Sequence, residues 1–302
     1  MTDHLIRCIT HDGSIMAAAV DSTYIVAAAQ QIHHTSPVAT AALGRLLSGA
    51  ALMGSLLKKE GASVTLKVNG GGPLGTLTAI ADSAGNCRGF LEHPEVDLPV
   101  RETDGKLDVG RAVGSSGLLG VIRDNGEGQP YTGQVELQSG ELAEDLSYYF
   151  AVSEQIPTIC ALGVLIDKTD SRRLLAGGLL IQVLPGASEE AIEKLEANAA
   201  KLPAVTTMLA HGMPIEEMCR TALQGFEIEI LDDTPVYYAC PCSRERVLRA
   251  FSTLPLEDLL TLPDKATGLA EARCQYCGKV YTFDREELEA LAKKLEKFEF
   301  TC

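Results

Sequence analysis

The sequence predicts an α+β protein in three parts: an N-terminal domain of mixed sheet and helix over residues 1–186, a helical linker over 187–235, and a small cysteine-paired domain over 236–302. Three observations carry that prediction. Strand-like and helix-like segments interleave irregularly up to Gly186, without the regular alternation of a parallel α/β sheet. The stretch that follows is densely acidic and reads as short helices. Four of the nine cysteines then fall into two close pairs, Cys240-Pro241-Cys242 and Cys274-Gln275-Tyr276-Cys277.

From Ile6 to Val26, short apolar pieces alternate with turn residues, which predicts two strands or a strand and a short helix. Ser36-Pro37 marks a helix start, with Ser36 as cap and Pro37 in the first turn. That helix is expected to run to about Lys59 through the most apolar stretch of the chain, 41–57. The stretch is marginally short for a membrane span and is interrupted by Arg45, Ser48 and Ser55, so a buried core helix is expected. Gly44, Gly49 and Gly54 would let neighbouring elements approach it closely. Next, Ser63-Val64-Thr65-Leu66-Lys67-Val68 and 74–80 flank Asn69-Gly70-Gly71-Gly72-Pro73, a hairpin pattern. A phosphate-binding loop would need a helix and a Lys-Ser/Thr after its glycines, whereas Pro73 and a second strand stand there. Further strands are expected at 86–91, 117–122 and 131–137, then a helix from Ser139 to about Ser153. Two apolar strands, 158–166 and 174–184, close the domain. Ser139 and Ser147 lack a nucleophile elbow or a Ser-His-Asp order and read as structural.

Between Gly186 and Thr234, ten acidic residues stand against three basic ones, a net of minus seven. Ser188 caps a helix to about Leu202, Pro203 ends it, and two short helices begin near Ala204 and Pro214. Such charge limits the apolar surface these helices can hide, so they either lean on a neighbour for order or form an ordinary solvated hairpin. The whole chain carries −15 with a pI of about 4.8, a field that repels nucleic acid and anionic lipid and points to protein partners. The start, Met1-Thr2-Asp3-His4-Leu5-Ile6-Arg7, lacks the basic-then-apolar layout of a signal peptide, and a reducing cytoplasmic setting is expected. That setting favours metal or redox chemistry of thiols over permanent disulfides.

Two thiolates one or two residues apart can face one ion, and two such pairs complete a tetrahedral Zn²⁺ shell with no position left for water. Cys240, Cys242, Cys274 and Cys277 are therefore the candidate zinc ligands, with two structural disulfides or a metal-free reactive dithiol as alternatives. Val236-Tyr237-Tyr238 reads as a strand leading into Cys240. Ser243 caps a helix to about Leu254, which puts Cys242 beside a helix N-terminus, where backbone N–H groups favour a thiolate. Arg244, Arg246 and Arg249 add positive charge near the thiolates. Gly278 supplies the turn of a zinc knuckle. A strand follows it, whereas a thioredoxin-like pair opens a helix, and this counts against an oxidoreductase. Asp284 and Glu287 form a capping box for a terminal helix. A domain this small has little core of its own, and a structural metal supplies on the order of 10–16 kcal/mol in such cases. Oxidising Cys274 and Cys277 to a disulfide would remove half the donors and unfold the tail. Cys8, Cys87, Cys160, Cys219 and Cys302 stand singly and read as small buried hydrophobes or a terminal bystander. His33, His34, His93 and His211 lack a partner motif and read as non-ligands.

Beyond the cysteines, the chain carries Leu52-Met53-Gly54-Ser55-Leu56-Leu57-Lys58, Gly71-Gly72-Pro73-Leu74-Gly75, Asn86-Cys87-Arg88-Gly89-Phe90 and Pro130-Tyr131-Thr132-Gly133, then 139–146 and 149–155. With these segments in this order it resembles, over nearly its whole length, the redox-regulated zinc-binding holdase chaperones of the 33 kDa heat-shock protein family. The resemblance implies a cytosolic, non-enzymatic chaperone that uses no ATP and is inactive while reduced, with zinc on Cys240, Cys242, Cys274 and Cys277. It implies that oxidants, with heat or another unfolding stress, form Cys274–Cys277 and then Cys240–Cys242 disulfides and release zinc. The linker then opens, a surface for unfolding client proteins is freed, and the active form is a homodimer. Cys87 and Cys302 are thiols beyond the family pattern. A nucleic-acid-binding zinc ribbon is the main rival, opposed by the acidic charge.

Overall fold

The computed structural model describes residues 2–167 and 174–299, and the chain divides into two units, 1–239 and 240–302. The first unit opens with strands β1 (Asp3–Thr10) and β2 (Ile15–Asp21) and helices α1 (Thr23–His33) and α2 (Pro37–Ser55). Then come β3 (Ser63–Asn69), β4 (Leu77–Asp82), β5 (Cys87–Leu91), the short α3 (Val109–Val113), β6 (Leu118–Asp124) and β7 (Tyr131–Glu136). Helix α4 (Leu142–Tyr149) runs into a π turn (Phe150–Glu154), followed by β8 (Thr158–Ile166) and β9 (Leu174–Val183). Three helices, α5 (Glu189–Ala199), α6 (Val205–Ala210) and α7 (Ile215–Ala222), lead to β10 (Ile228–Val236). The strands form two antiparallel five-stranded sheets, ordered β10-β1-β2-β9-β8 and β5-β4-β3-β6-β7. The fold class is α+β, as the irregular interleaving predicts.

Helix α2 is the centre of this unit. Its start is the predicted one: Ser36 Oγ accepts from Ala39 N at 3.2 Å and Pro37 opens the first turn. Every residue except Pro37 and Arg45 is buried, because the helix packs against strands of both sheets. Arg45 points its guanidinium at Glu141. A Cβ at Gly44 would meet Val26 and Val164 at 2.8 Å, and one at Gly49 would meet Leu146 at 2.7 Å, so the glycines set the packing distance. The helix is long and apolar enough to cross a membrane by length and composition, yet 94% of its apolar window lies inside the protein, which makes it a core helix. It stops at Ser55 rather than near Lys59, where Leu57 N bonds back to Gly54 O at 2.9 Å. Helix α4 likewise starts later than Ser139, because the Asp145 carboxylate accepts from Gln138 N and Ser139 N and holds that stretch as a turn.

Period-two alternation divides the first sheet between two cores. Leu5, Ala18, Val20 and Leu180 face the core around α2, while Ile6, Cys8, Ala17 and Leu179 face the opposite way. The second face is covered by α5–α7, through Leu195, Met208, Leu209, Met218 and Leu223. The acidic stretch therefore hides more apolar surface than its charge suggests. Residues 228–235, within the stretch expected to be mostly helical, belong instead to the edge strand β10, which ends at Val236 and pairs with β1 from Thr10↔Ile228 to Asp3↔Val236. Ile228 and Ile230 pack toward the second core, Glu229, Leu231 and Asp233 face solvent, and Arg7 pairs with Asp232. Past β10 the chain runs along β5. Cys87 N donates to Tyr237 O at 3.0 Å, Ala239 N to Cys87 O at 2.9 Å, and the Tyr238 hydroxyl to Gly89 O at 2.9 Å. The backbone is thus pinned up to the residue before Cys240.

The second unit contains α8 (Arg244–Phe251), α9 (Leu256–Thr261), the hairpin β11 (Leu269–Arg273) and β12 (Val280–Asp284), and α10 (Arg285–Glu299). The capping box closes reciprocally, with Glu287 N donating to Asp284 Oδ1 at 2.9 Å and Asp284 N to Glu287 Oε2 at 3.1 Å. Its buried apolar cluster is Leu259, Ala270, Tyr281, Phe283, Leu288 and Ala292. Two of these are alanines, which leaves little burial to hold a unit of about sixty residues.

Candidate metal centre

The four paired cysteines converge on one point. Their Sγ atoms all lie within 4.8 Å of one another, with Cys240 and Cys274 3.6 Å apart and Cys242 and Cys277 3.3 Å apart. A Zn–S bond of about 2.3 Å sets a tetrahedral S···S edge of about 3.8 Å, so the sulfur cage has the dimensions of a metal site. Among the described residues it is the only such group, and His33, His34, His93 and His211 lie outside it.

Local structure explains the convergence. Cys240 and Cys242 lie between the pinned Tyr237–Ala239 segment and α8, whose cap Ser243 Oγ accepts from Arg246 N at 3.3 Å. Cys274 and Cys277 sit in the knuckle joining β11 to β12. There Gly278 N donates to Cys274 O and Cys274 N to Lys279 O, both at 2.9 Å, and Gly278 takes φ 71°, which disfavours a side chain. All four thiols are half-buried.

Burial pushes the Cys240 thiol up to about 12 and raises that of Cys277. Burial also opposes ionisation of Cys242, but the Tyr281 hydroxyl, donating to its sulfur at 3.2 Å, and the neighbouring thiols outweigh it and bring Cys242 down to about 7. Four thiols this close do not ionise together without a cation. An all-sulfur donor set with no carboxylate suits a soft tetrahedral ion such as Zn²⁺. The residue that the sequence pattern leaves unmarked is Tyr281, although alternation along β12 puts it on the inner face with Phe283. Arg244, expected to offset the thiolate charge, braces the fold: it donates to Thr282 O at 2.7 Å and to Glu287 at 2.6 Å, and lies over the Phe283 ring at 4.2 Å. Of the remaining cysteines, Cys8, Cys87 and Cys219 are buried and Cys160 is half-buried. Cys302 lies outside the described residues.

The model of the Hsp33 protein family matches residues 3–284. The chain belongs to the Hsp33 family. A relative named 33 kDa chaperonin from Clostridium perfringens is 43% identical over 297 residues, covering 98% of this chain and 93% of the relative. A relative of the same name from Lachnoclostridium phytofermentans is 46% identical over 289 residues, covering 96% and 98%. The crystal structure of the 33 kDa chaperonin (heat shock protein 33 homolog) from Thermotoga maritima matches with a TM-score of 0.87 at 34% identity, covering 97% of this chain and 99% of that one. The Hsp33 family is the one that the ordered sequence segments resemble.

Proposed function

We propose that this Hsp33-family chain is a redox-regulated, ATP-independent holdase. Reduced, it carries one Zn²⁺ on Cys240, Cys242, Cys274 and Cys277 and is inactive; oxidised, it binds unfolding proteins and keeps them from aggregating. The observation that carries the reading is the four-thiol cage in a small unit whose buried apolar cluster has six members among the described residues, a setting in which a structural metal commonly supplies much of the stability. The relatives' name, 33 kDa chaperonin, supports the chaperone class. A bound Zn²⁺ would supply a cross-link among four thiolates and no open coordination position.

With hydrogen peroxide as oxidant, the Cys274 and Cys277 thiolates give up two electrons, and two protons are taken from solvent. One S–S bond forms, the O–O bond breaks, and two waters leave. The disulfide donates no thiolate, and two remaining sulfurs cannot retain the ion; Cys240 and Cys242 then oxidise in the same way. The second unit loses its main stabiliser, and the acidic segment 187–235, continuous with it in the chain, acts as the linker that releases. Lifting α5–α7 would bare Ile6, Ile15, Leu179 and Ile181 on the first sheet, an apolar face suited to unfolding clients. The clients are proteins and the oxidised form a homodimer, with the −15 charge disfavouring nucleic acid and membrane surfaces. The protein works in the cytoplasm, where a reduced resting state is maintained, and it turns over no substrate.

The test is light scattering from a heat-denaturing client enzyme without ATP. Peroxide-treated protein should suppress scattering at near-equimolar ratio, the reduced zinc-loaded protein should not, and dithiothreitol should restore the inactive form. Equal scattering with both forms would overturn the proposal. Sulfur approaches of 3.6 and 3.3 Å run between the two pairs, so disulfide mapping gives Cys240–Cys274 and Cys242–Cys277 as the competing outcome for the linkage itself.

A further inference from the structure

Strand β5 is an edge of the second sheet, and the chain itself closes that edge. In an antiparallel edge strand, alternate residues turn their backbone N–H and C=O away from the neighbouring strand, and in β5 these include Cys87 and Gly89. The segment after β10 covers them as a strap. Cys87 N donates to Tyr237 O at 3.0 Å, Ala239 N to Cys87 O at 2.9 Å and Tyr237 N to Asn86 Oδ1 at 3.1 Å, which sets Tyr238 opposite Cys87 in a parallel bridge. At Gly89 a side chain meets the outward groups: the Tyr238 hydroxyl donates to Gly89 O at 2.9 Å and accepts from Gly89 N at 3.4 Å. His33 Nε2, at the end of α1, lies 3.3 Å from the same hydroxyl, and Tyr238 packs half-buried against the core around α2. Tyr237 is 52% exposed and selects nothing. The edge therefore recognises main chain at two positions and a phenol between them.

We propose that the β5 edge is a docking site for an extended, tyrosine-bearing segment of an unfolding polypeptide, and that the strap Tyr237–Ala239 fills it in the resting protein. The occupant is argued from the strap itself, which is such a segment and shows the register and the bonds that fit. The proposal rests on the holdase reading, in which the linker releases and the cage opens. Strand β10 runs into the strap on one side and Cys240 follows Ala239 on the other, so these two events free both its ends. While its ends are tied, the strap faces β5 at an effective concentration on the order of millimolar, which keeps a free segment out. Once freed, it yields to a segment in excess. Main-chain bonds require no particular sequence, which suits varied clients, whereas the slot at Gly89 and His33 ranks them. Tyrosine comes first, phenylalanine leaves the Gly89 carbonyl unmet, and alanine leaves the slot empty. In the resting protein the covered edge cannot pair with other chains.

The probe is a fluorescein-labelled, end-blocked peptide of residues 234–239, titrated by fluorescence anisotropy into the full-length protein. The peroxide-oxidised protein should bind it roughly tenfold or more tightly than the reduced, zinc-loaded protein. A peptide with Tyr238→Ala should bind the oxidised protein roughly tenfold or more weakly than the unaltered peptide. Binding should slow amide exchange at Cys87 and Gly89, and a photoreactive benzoylphenylalanine at the Tyr238 position of the peptide should label 87–91 or α1. Tyr238→Ala in the full chain weakens the strap and should let the reduced protein bind the unaltered peptide; Tyr238→Phe is the second variant should Tyr238→Ala not fold. Label outside β5 and α1, or no binding by the oxidised protein, would overturn the site. Protection of Cys87 that rises with the concentration of the oxidised protein and resists the peptide would assign the edge to the strap of a second copy and overturn client docking. If the peptide docks at β5 while no oxidised sample suppresses aggregation, the holdase reading fails and the edge site stands. If oxidised protein suppresses aggregation without binding the peptide, the edge site fails and the holdase reading stands.

Discussion

Phe283 lies outside the sulfur cage, yet Phe283→Ala should weaken metal binding by two to three orders of magnitude. The ring is fully buried, packs edge-on against Phe251 at 5.1 Å between centroids, and carries the Arg244 guanidinium at 4.2 Å. Truncating a buried Phe to Ala costs about 3–5 kcal/mol. That matches the roughly 3–5 kcal/mol that a single small core supplies in total. If the metal-free unit is unfolded, folding and binding are one equilibrium and the whole loss appears in the apparent affinity. At about 1.4 kcal/mol per tenfold, the expected weakening is about 100- to 4,000-fold. The assay is competition for Zn²⁺ against a chromogenic chelator at pH 7, with thiol titration to establish that both proteins are reduced. An affinity within tenfold of the unaltered protein would refute the coupling, since the cage would then form without its supporting core.

Three further outcomes follow from the same geometry. Tyr281→Phe removes the hydroxyl donating to Cys242 and should weaken zinc binding about 10- to 100-fold in the same competition, the usual effect of losing a partner that orients a ligand; an unchanged affinity would remove Tyr281 from the site. Met218→Lys places a charge at a fully buried position under α7, a cost of several kcal/mol, and should give dye-detected apolar surface and anti-aggregation activity in the reduced, zinc-loaded protein; continued inactivity with bared surface would place client binding elsewhere. Burial pushes the Asp3 carboxyl up to about 6, although Tyr24 N and Ile25 N donate to it at 3.0 and 2.7 Å. A carboxyl raised above its unfolded value of about 3.9 keeps its proton longer in the native state, so stability is full below that value and declines as pH rises toward 6. Asp3→Asn should flatten that decline in thermal melts of the first unit between pH 4 and 6.5, and an unaltered slope would assign it to other groups.

The convergence of the four cysteines was legible because the pattern is local: two short motifs carry all four, and Gly278 marks the turn between β11 and β12. Helix α2 was legible for a similar reason, since Ser36-Pro37 starts it and its glycines and apolar run leave few alternatives to burial. Strand β10 was hidden by its own composition. Glu229, Asp232 and Asp233 read as part of a charged linker, and the β1 partner that uses Ile228 and Ile230 lies more than two hundred positions away. Tyr281 shows the intermediate case: β12 alternation places it inward, while its hydrogen bond depends on how Cys242 enters from the other pair.

In the proposed function the thiol cage latches the linker. Its most direct test follows hydrogen exchange over 189–222 and Zn²⁺ release in the same samples as peroxide is titrated under mild heat. Exchange in α5–α7 should accelerate in step with metal loss, while α2, the buried centre of the first unit, stays protected. Complete metal release and full oxidation of Cys274 and Cys277, with exchange over 189–222 unchanged, would contradict it.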